Sequence, residues 1–168
     1  MEKLPRHLHI HWASGTELPH IFDIRSTVFI EGQQVSKELE QDGLDDQAKH
    51  VILYDHDTPV GCARIRWMSL EIEGTHTETL MYWKVERLAV LEEARNKGYG
   101  KLIMEWIIRQ AEEHQIAGLT LHAQTQLEPF YQQLGFITDG KPFMEAGIKH
   151  ITMNRTVYQP KRQQKRKF

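Results

Sequence analysis

Two glycines and three basic residues lie within seven positions at residues 95–101, with the sequence RNKGYGK. An apolar segment precedes this stretch and an amphipathic segment follows it, so the pattern predicts a strand, a tight turn and a helix. Such a junction presents free backbone N–H groups at the positive end of a helix dipole, where anions bind. The two glycines let the backbone approach an anion closely, while Arg95, Lys97 and Lys101 add positive charge. The stretch therefore predicts a site suited to a diphosphate.

The spacing differs from two common phosphate-binding motifs. A Walker A loop needs a glycine and a serine or threonine at positions where this chain has Arg95 and Leu102. The dinucleotide-binding fingerprint needs glycine or alanine where this chain has Ile103. What remains is the pattern Arg95-x-x-Gly98-x-Gly100.

The elements that must position this turn follow from hydrophobic periodicity and from turn residues. In the first half of the chain they are predicted as a strand at 7–12, a helix at 16–32, a polar and acidic segment with a short second helix, and strands at 50–55, 60–70 and 81–91. In the second half they are a helix at 97–115, a strand at 119–124, a helix at 127–136, and strands around 136–140 and 148–157. Residues 71–79 are predicted to form a loop. The order β α (α) β β β α β α β β mixes hairpins with one strand–helix–strand unit.

Length and composition predict one globular domain. The chain has 168 residues, of which 40% are hydrophobic and 26% charged, and this is typical of a soluble protein with a sizeable core. The single cysteine, Cys62, excludes an internal disulfide framework and is expected in the core. Because the first residues lack the apolar run of a signal peptide or a membrane helix, we expect a cytoplasmic protein with no membrane partner.

The end of the chain has a different composition from the rest. The formal net charge is −2, but the last eight residues, KRQQKRKF, are basic. We therefore predict a single domain over residues 1–158 and a basic tail over 159–168. Such a tail can contact nucleic acid, but a short solubilising end is the commoner case, so nucleic acid is not the expected partner.

A family resemblance rests on motifs in both halves of the chain. In the second half they are Leu88-Ala89-Val90, Arg95-x-x-Gly98-x-Gly100 with its helix, LTLHAQ at 119–124, and Phe130-Tyr131-x-x-Leu134-Gly135-Phe136. Together they resemble the acetyl-CoA-dependent N-acetyltransferases of the GNAT superfamily, over residues from about 20 to 157. VFIEGQ at 28–33, the acids and His50 that follow it, and PFMEAGIKH at 142–150 are similar to the ElaA-like and YjcF-like branch. The chain departs from that branch at Gly32, where an acid commonly precedes the glutamine.

The resemblance implies an α/β fold of the α+β type. Its central sheet is mixed, mostly antiparallel and twisted, with about seven strands, about four flanking helices and a splay between strands 4 and 5. The pantetheine arm of acetyl-CoA, the co-substrate, is expected to enter this splay and to pair with the backbone of Leu88, Ala89 and Val90. The diphosphate is expected on the turn formed by Arg95, Asn96, Lys97, Gly98, Tyr99, Gly100 and Lys101. The resemblance implies no metal.

The implied reaction is direct acetyl transfer through a tetrahedral intermediate to a primary amine of a small molecule or peptide. Tyr131 matches the tyrosine that protonates the departing thiolate, although its place on an apolar stripe also fits simple packing. Glu86 is a candidate base because strand alternation would put it on the same side as Leu88 and Val90. His122 is a second candidate, since an imidazole ordinarily has a pKa of about 6.5. His150 and Glu31 are further candidates.

Several of these features also have a purely structural explanation. Glu86 could pair with Lys84 or Arg87, and His122 could be a hydrogen-bonded strand residue. The acids at positions 38–46 could form a solvated loop or, if they border the acceptor pocket, favour a cationic amine.

The three histidines at positions 7, 9 and 11 are not expected to bind a metal, because successive residues on one strand face are about 7 Å apart. The alternative for the whole chain is a non-catalytic acyl-CoA-binding sensor or partner module. A homodimer is a further expectation of the resemblance.

Overall fold

The computed structural model describes residues 4–72 and 78–159. In these ranges seven strands are present: β1 (Leu8–Trp12), β2 (Lys49–Asp55), β3 (Thr58–Ile72), β4 (Glu78–Val90), β5 (Gly118–Gln124), β6 (Ile137–Glu145) and β7 (Ile148–Thr156). The α-helices of the same ranges are α1 (Leu18–Arg25), α2 (Lys37–Glu40), α3 (Tyr99–Glu113) and α4 (Glu128–Gln133). A π-helical turn, Ser26–Glu31, continues α1. The basic tail from residue 160 onward lies outside the described residues.

The strands form one mixed sheet in the order β1-β2-β3-β4-β5-β7-β6. Every neighbouring pair is antiparallel except β4 and β5, which run parallel. Pairing between these two extends only from Tyr82–Gly118 to Val85–Leu121. Beyond that point the strands separate, so the expected splay between strands 4 and 5 is confirmed, as is the fold class. The edge of β4 that faces this fork, from Glu86 to Val90, does not pair with β5.

A β-bulge interrupts β4 just where the fork opens. Arg64 of β3 faces Glu86, whereas Cys62, two residues earlier, faces Ala89, three residues later. The extra residue lies at Arg87, whose φ of 54° is in the left-handed region. Because the bulge adds one residue to β4 only, side chains after it point to the opposite face from the one that simple alternation predicts.

Each face of the sheet has its own core. Helices α3 and α4 cover one face, and α3 contributes a fully buried stripe with Ile103, Met104 and Ile107. Helix α1 covers the other face with Ile21 and Ile24, packed on Ile52, Cys62 and Ala89. Cys62 is buried, as expected, and burial raises its pKa to about 12. The sheet is thus held between two helical layers, and the fork lies between them.

Two elements differ from the prediction. Strand β3 extends to Ile72, and strand β4 begins at Glu78. The two strands therefore include four residues of the predicted loop at 71–79, and residues 73–77 lie outside the described chain. The predicted helix at 16–32 begins with a 3-10 turn at Gly15–Glu17 and ends in the π-helical turn. No helix among the described residues is long and apolar enough to cross a membrane.

Candidate active site

The turn before α3 has the geometry of an anion site. Asn96 and Gly98 have positive φ angles of 61° and 77°, and the first α-helical bond of the segment runs from Leu102 N to Gly98 O. The amides of residues 99–101 therefore precede the hydrogen-bond ladder of α3 and lie at the positive end of a 15-residue helix.

The basic side chains of this turn are exposed and only loosely engaged. Lys97 lies 3.6 Å from Asp55, Lys101 lies 3.8 Å from Glu105, and Arg95 donates to the carbonyl of Val90. Their charges are therefore accessible to an anion that docks on the amides.

The two glycines of the turn are not explained by crowding within the protein. A Cβ at Gly98 would meet nothing within 4 Å, and one at Gly100 would meet only Phe130 Cζ at 3.7 Å. The positive φ of Gly98 explains that glycine, but Gly100 has no positive φ. Gly100 thus leaves open space over the free amides, and this fits a diphosphate that contacts the backbone.

A cavity of about 350 Å³ opens at the fork between β4 and β5. Leu88 of β4, Leu121 of β5 and Tyr131 of α4 line it. Leu88 and Val90 pack toward the α3 core, whereas Ala89 is buried under α1. The cavity is large enough for a small molecule beside an acyl chain.

Tyr131 belongs both to the core and to the cavity wall. Its ring packs edge-on against Phe130 and Phe136, and only 7% of the residue is exposed. Burial raises the pKa of its hydroxyl to about 12. The phenol therefore stays protonated at neutral pH and can donate a hydrogen bond, but it is a weaker acid than an exposed tyrosine.

A carboxylate between two imidazoles also lines the cavity. His122 Nδ1 is 3.0 Å from Glu145 Oε1, and His150 Nε2 is 3.9 Å from Glu145 Oε2. The hydrogen bond from His122 lowers the pKa of Glu145 and outweighs the opposing effect of burial. With Nδ1–H directed at the carboxylate, His122 Nε2 carries the free lone pair that a base needs. The nearby ring of Phe143 packs edge-on against His122.

The prediction that Glu86 lies on the same side of the sheet as Leu88 and Val90 is wrong, because the bulge at Arg87 shifts the alternation of side chains along β4. Glu86 shares a face with Ala89, on the α1 side, and points away from the face of Leu88 and Val90. It still lines the cavity, but Arg64 and Arg66 donate to its carboxylate. Burial opposes its ionisation, yet these hydrogen bonds and nearby positive charges prevail and lower its pKa to about 2.

Three of the five acids at positions 38–46 are paired with arginine, whereas Glu38 and Asp46 are exposed as a solvated loop predicts. Buried Arg25 donates to both oxygens of Glu40 and to Asp45, and buried Arg64 donates to both oxygens of Asp42. Glu40 and Asp42 border the cavity, as the cationic-amine prediction required, but their charges are neutralised by arginine. The basis for expecting a cationic amine is therefore lost.

Two glutamines bridge the two sides of the cavity. Gln33 and Gln124 exchange amide hydrogen bonds of 3.3 and 2.9 Å. Gln33 follows the π-helical turn, where a Cβ at Gly32 would lie 2.6 Å from the carbonyl oxygen of Val28. That turn requires glycine, and this accounts for the departure from the branch pattern at position 32.

The remaining candidates lie away from the cavity. Glu31 is exposed at the end of the π-helical turn and does not line the cavity. On β1, His11 lies 2.9 Å from Glu17, and His7 stacks on His56.

Sequence reasoning missed Arg66, Lys84 and Glu145, which line the cavity, and Arg64, which binds the carboxylates beside it. For Arg64 a signal was present, because it occupies an apolar stretch of β3 where an unpaired charge would be costly. Glu145 lies 23 residues after His122, and no local sequence pattern predicts their contact.

Comparison with known proteins agrees with this geometry. Residues 18–157 match the family model described as "Acetyltransferase (GNAT) domain". The uncharacterised N-acetyltransferase YjcF of Bacillus subtilis is 36% identical over 138 residues, which cover 82% of this chain and 91% of that protein. Protein ElaA of Escherichia coli is 28% identical over 154 residues, which cover 90% of this chain and 95% of that protein. A crystal structure of a putative N-acetyltransferase from Lactobacillus plantarum has a TM-score of 0.76 at 21% identity and covers 90% of this chain and 99% of its own.

Proposed function

Because this chain belongs to the GNAT acetyltransferase family, we propose that it transfers acetyl to a primary amine of a small molecule or peptide. The acyl donor of the family is acetyl-CoA. The diphosphate of the donor binds the amides of residues 96–101, and its pantetheine arm lies along the unpaired edge of β4 at Leu88–Val90. Residues 18–157 supply every part of this site.

The transfer is direct. The lone pair of the amine attacks the thioester carbon, and a backbone N–H of the β4 edge stabilises the negative oxygen of the tetrahedral intermediate. His122 accepts the amine proton through Nε2, with Glu145 holding the ring. The C–S bond then breaks, and Tyr131 gives its proton to the leaving thiolate.

The observation that supports this proposal is the presence of two complementary groups in one cavity. A phenol that stays protonated and an imidazole oriented by a carboxylate both line it. Acyl transfer between an amine and a thiol requires one group of each kind. The glycine turn before α3 adds a place for the diphosphate.

The test is the release of free CoA thiol from acetyl-CoA with amino acids, polyamines, amino sugars and peptides as acceptors. We expect amine-dependent release with at least one class, and a fall in kcat of roughly 100-fold in Tyr131→Phe. Tyr158→Phe, which alters an exposed tyrosine far from the cavity, is the matched control and keeps the wild-type rate. Tight binding of acetyl-CoA without release for any amine would overturn catalysis and favour an acyl-CoA-binding module.

A further inference from the structure

The carboxylates on the α2 side of the cavity have no oxygen free for a substrate amine. Both oxygens of Glu40 accept from Arg25. Both oxygens of Asp42 accept from Arg64, and Arg87 adds a bond to one of them. A cationic amine would have to break these pairs in order to bind here, and the arginines left behind would be unpaired and largely buried.

The basic groups on the β3–β4 wall, in contrast, have hydrogen-bond donors without a partner among the described residues. Arg66 directs Nε and Nη2 at Glu86, and Nη1 has no partner among the described residues. Lys84 Nζ lies 3.4 Å from Glu86 and makes no hydrogen bond within the described chain. Both side chains line the cavity and are partly exposed, at 24% for Arg66 and 19% for Lys84.

The charges of the ion-pair network beside the cavity do not cancel. The connected group contains five cations, Arg25, Arg64, Arg66, Lys84 and Arg87, and four carboxylates, Glu40, Asp42, Asp45 and Glu86. One positive charge remains. The partly exposed donors with spare capacity are Lys84 and Arg66, whereas Arg87 Nε, which also lacks a hydrogen-bond partner within the described chain, is buried. An anionic group of a ligand would be stabilised there.

The His122–Glu145 side of the cavity has the reverse character. Glu145 Oε1 is engaged by His122, but Oε2 is 3.9 Å from the nearest imidazole nitrogen, and the side chain is 47% exposed. Lys84 pairs with Thr120 in the register of β4 and β5, so Lys84 and His122 lie on neighbouring strands, two positions apart on the same sheet face, and both line the cavity. The cavity thus offers a basic end and an acidic end within the length of a small molecule.

We propose that the acceptor is a free amino acid or a closely similar amine that bears a carboxylate. Its carboxylate binds Lys84 and Arg66, and its amine lies at the His122–Glu145 pair beside Tyr131. The inference rests on the proposed acetyl transfer. The new bond joins the acceptor nitrogen to the acetyl carbon as the C–S bond breaks, so the products are an N-acetyl amino acid and the free CoA thiol.

The first experiment compares matched acceptors on the wild-type protein. Leucine, leucinamide and isoamylamine share one side chain and differ in the carboxylate, as do phenylalanine, phenylalaninamide and phenethylamine. We expect kcat/KM for the best amino acid to exceed that of its amide and its decarboxylated amine by roughly 10- to 100-fold, the size of one or two charge-assisted hydrogen bonds. Mass spectrometry of the product confirms N-acetylation.

The second experiment asks whether Lys84 carries the preference. In Lys84→Met the ratio of kcat/KM for amino acid to that for amide should fall toward one, whereas Lys141→Met, which alters an exposed lysine of β6, should keep the wild-type ratio. A wild-type preference for the amide or decarboxylated amine, or an unchanged ratio in Lys84→Met, overturns the inference while acetyl transfer stands. Absence of turnover with every acceptor overturns both proposals together.

Discussion

At the residue scale, the two candidate bases differ in whether a lone pair is available. Glu86 is ionised, but three cations surround it and its pKa of about 2 makes it a poor proton acceptor near neutrality. His122 Nδ1 is hydrogen-bonded to Glu145, and Nε2 has no hydrogen-bond partner among the described residues. The geometry therefore favours His122, with Glu145 as the group that orients it.

Substitution of each candidate separates these roles. Because a base must be unprotonated, kcat/KM should rise with pH through an acidic limb. We expect His122→Gln to remove that limb and to lower kcat/KM by roughly 100-fold, whereas Glu86→Gln should retain it. The measurement is the pH dependence of kcat/KM from about pH 5 to about pH 9, the range in which imidazoles titrate. A limb that persists in His122→Gln and disappears in Glu86→Gln would restore Glu86 as the base.

At the element scale, the turn before α3 contains a glycine, Gly100, that folding does not require but that the proposed diphosphate site does. Gly100 lies in the first turn of α3, where alanine is a better helix former and where a Cβ has room. The same Cβ would occupy the space above the amides that we assign to the diphosphate.

Gly100→Ala should therefore have opposite effects on the two properties. We expect the free energy of unfolding to stay level or to rise by up to about 1 kcal/mol, and the Kd for acetyl-CoA to rise by roughly tenfold or more. Urea unfolding and calorimetric titration with acetyl-CoA measure the two quantities. Gly15→Ala, which also adds a Cβ in open space but far from the turn, is the control and should leave the Kd unchanged. An unchanged Kd in Gly100→Ala would place the diphosphate elsewhere.

At the scale of the whole molecule, the arginine and carboxylate network joins α1, the sheet and the segment between α2 and β2 on the α1 side of the sheet. Arg25 belongs to α1 and Arg64 to β3, and both pair with Asp45 in the segment between α2 and β2. Hydrogen bonds from Arg64 hold the pKa of Asp42 well below its usual range. Burial opposes ionisation of Asp45, but bonds from Arg25 and Arg64 still lower its pKa. Folding thus depends on these carboxyl groups being ionised.

Stability should consequently fall in acid. A carboxyl group with a depressed pKa in the folded state stabilises the protein above its unfolded pKa, and this contribution is lost as pH falls through the folded pKa. Burial also lowers the pKa of His50, so the free energy of unfolding should begin to decline below about pH 6.5, and it should fall further between about pH 4.5 and about pH 2, with about 2 kcal/mol from Glu86 after allowance for solvent screening. Urea unfolding across this range measures the effect.

Removal of one buried arginine gives a second measure of the same network. Arg64→Met should cost about 3–5 kcal/mol, because it leaves carboxylates buried without their partner. Arg6→Met, at an exposed position, is the matched control and should change the unfolding free energy by less than about 0.5 kcal/mol. A flat stability profile down to pH 3, together with a small effect of Arg64→Met, would contradict the role of the network.

The sequence by itself determined the order of the elements, the class of the fold, and the turn before α3. These features depend on neighbouring residues: hydrophobic periodicity sets each strand or helix, and the glycines and basic residues of the turn are contiguous. The FYxxLGF segment likewise predicted a short helix whose stripe includes Tyr131, and α4 carries that residue in place.

Only the tertiary structure decided how the charged residues are used. One extra residue at Arg87 reversed the side of Leu88 and Val90 relative to Glu86, and a bulge of this kind leaves no mark in hydrophobic alternation. Arg25, Arg64 and His122 lie 15 to 23 residues from the carboxylates to which they are hydrogen-bonded, Glu40, Asp42, Glu86 and Glu145. Electrostatic energy depends on distance in space and on burial, which chain folding sets, so residue type alone could not tell a free carboxylate from one already paired with arginine.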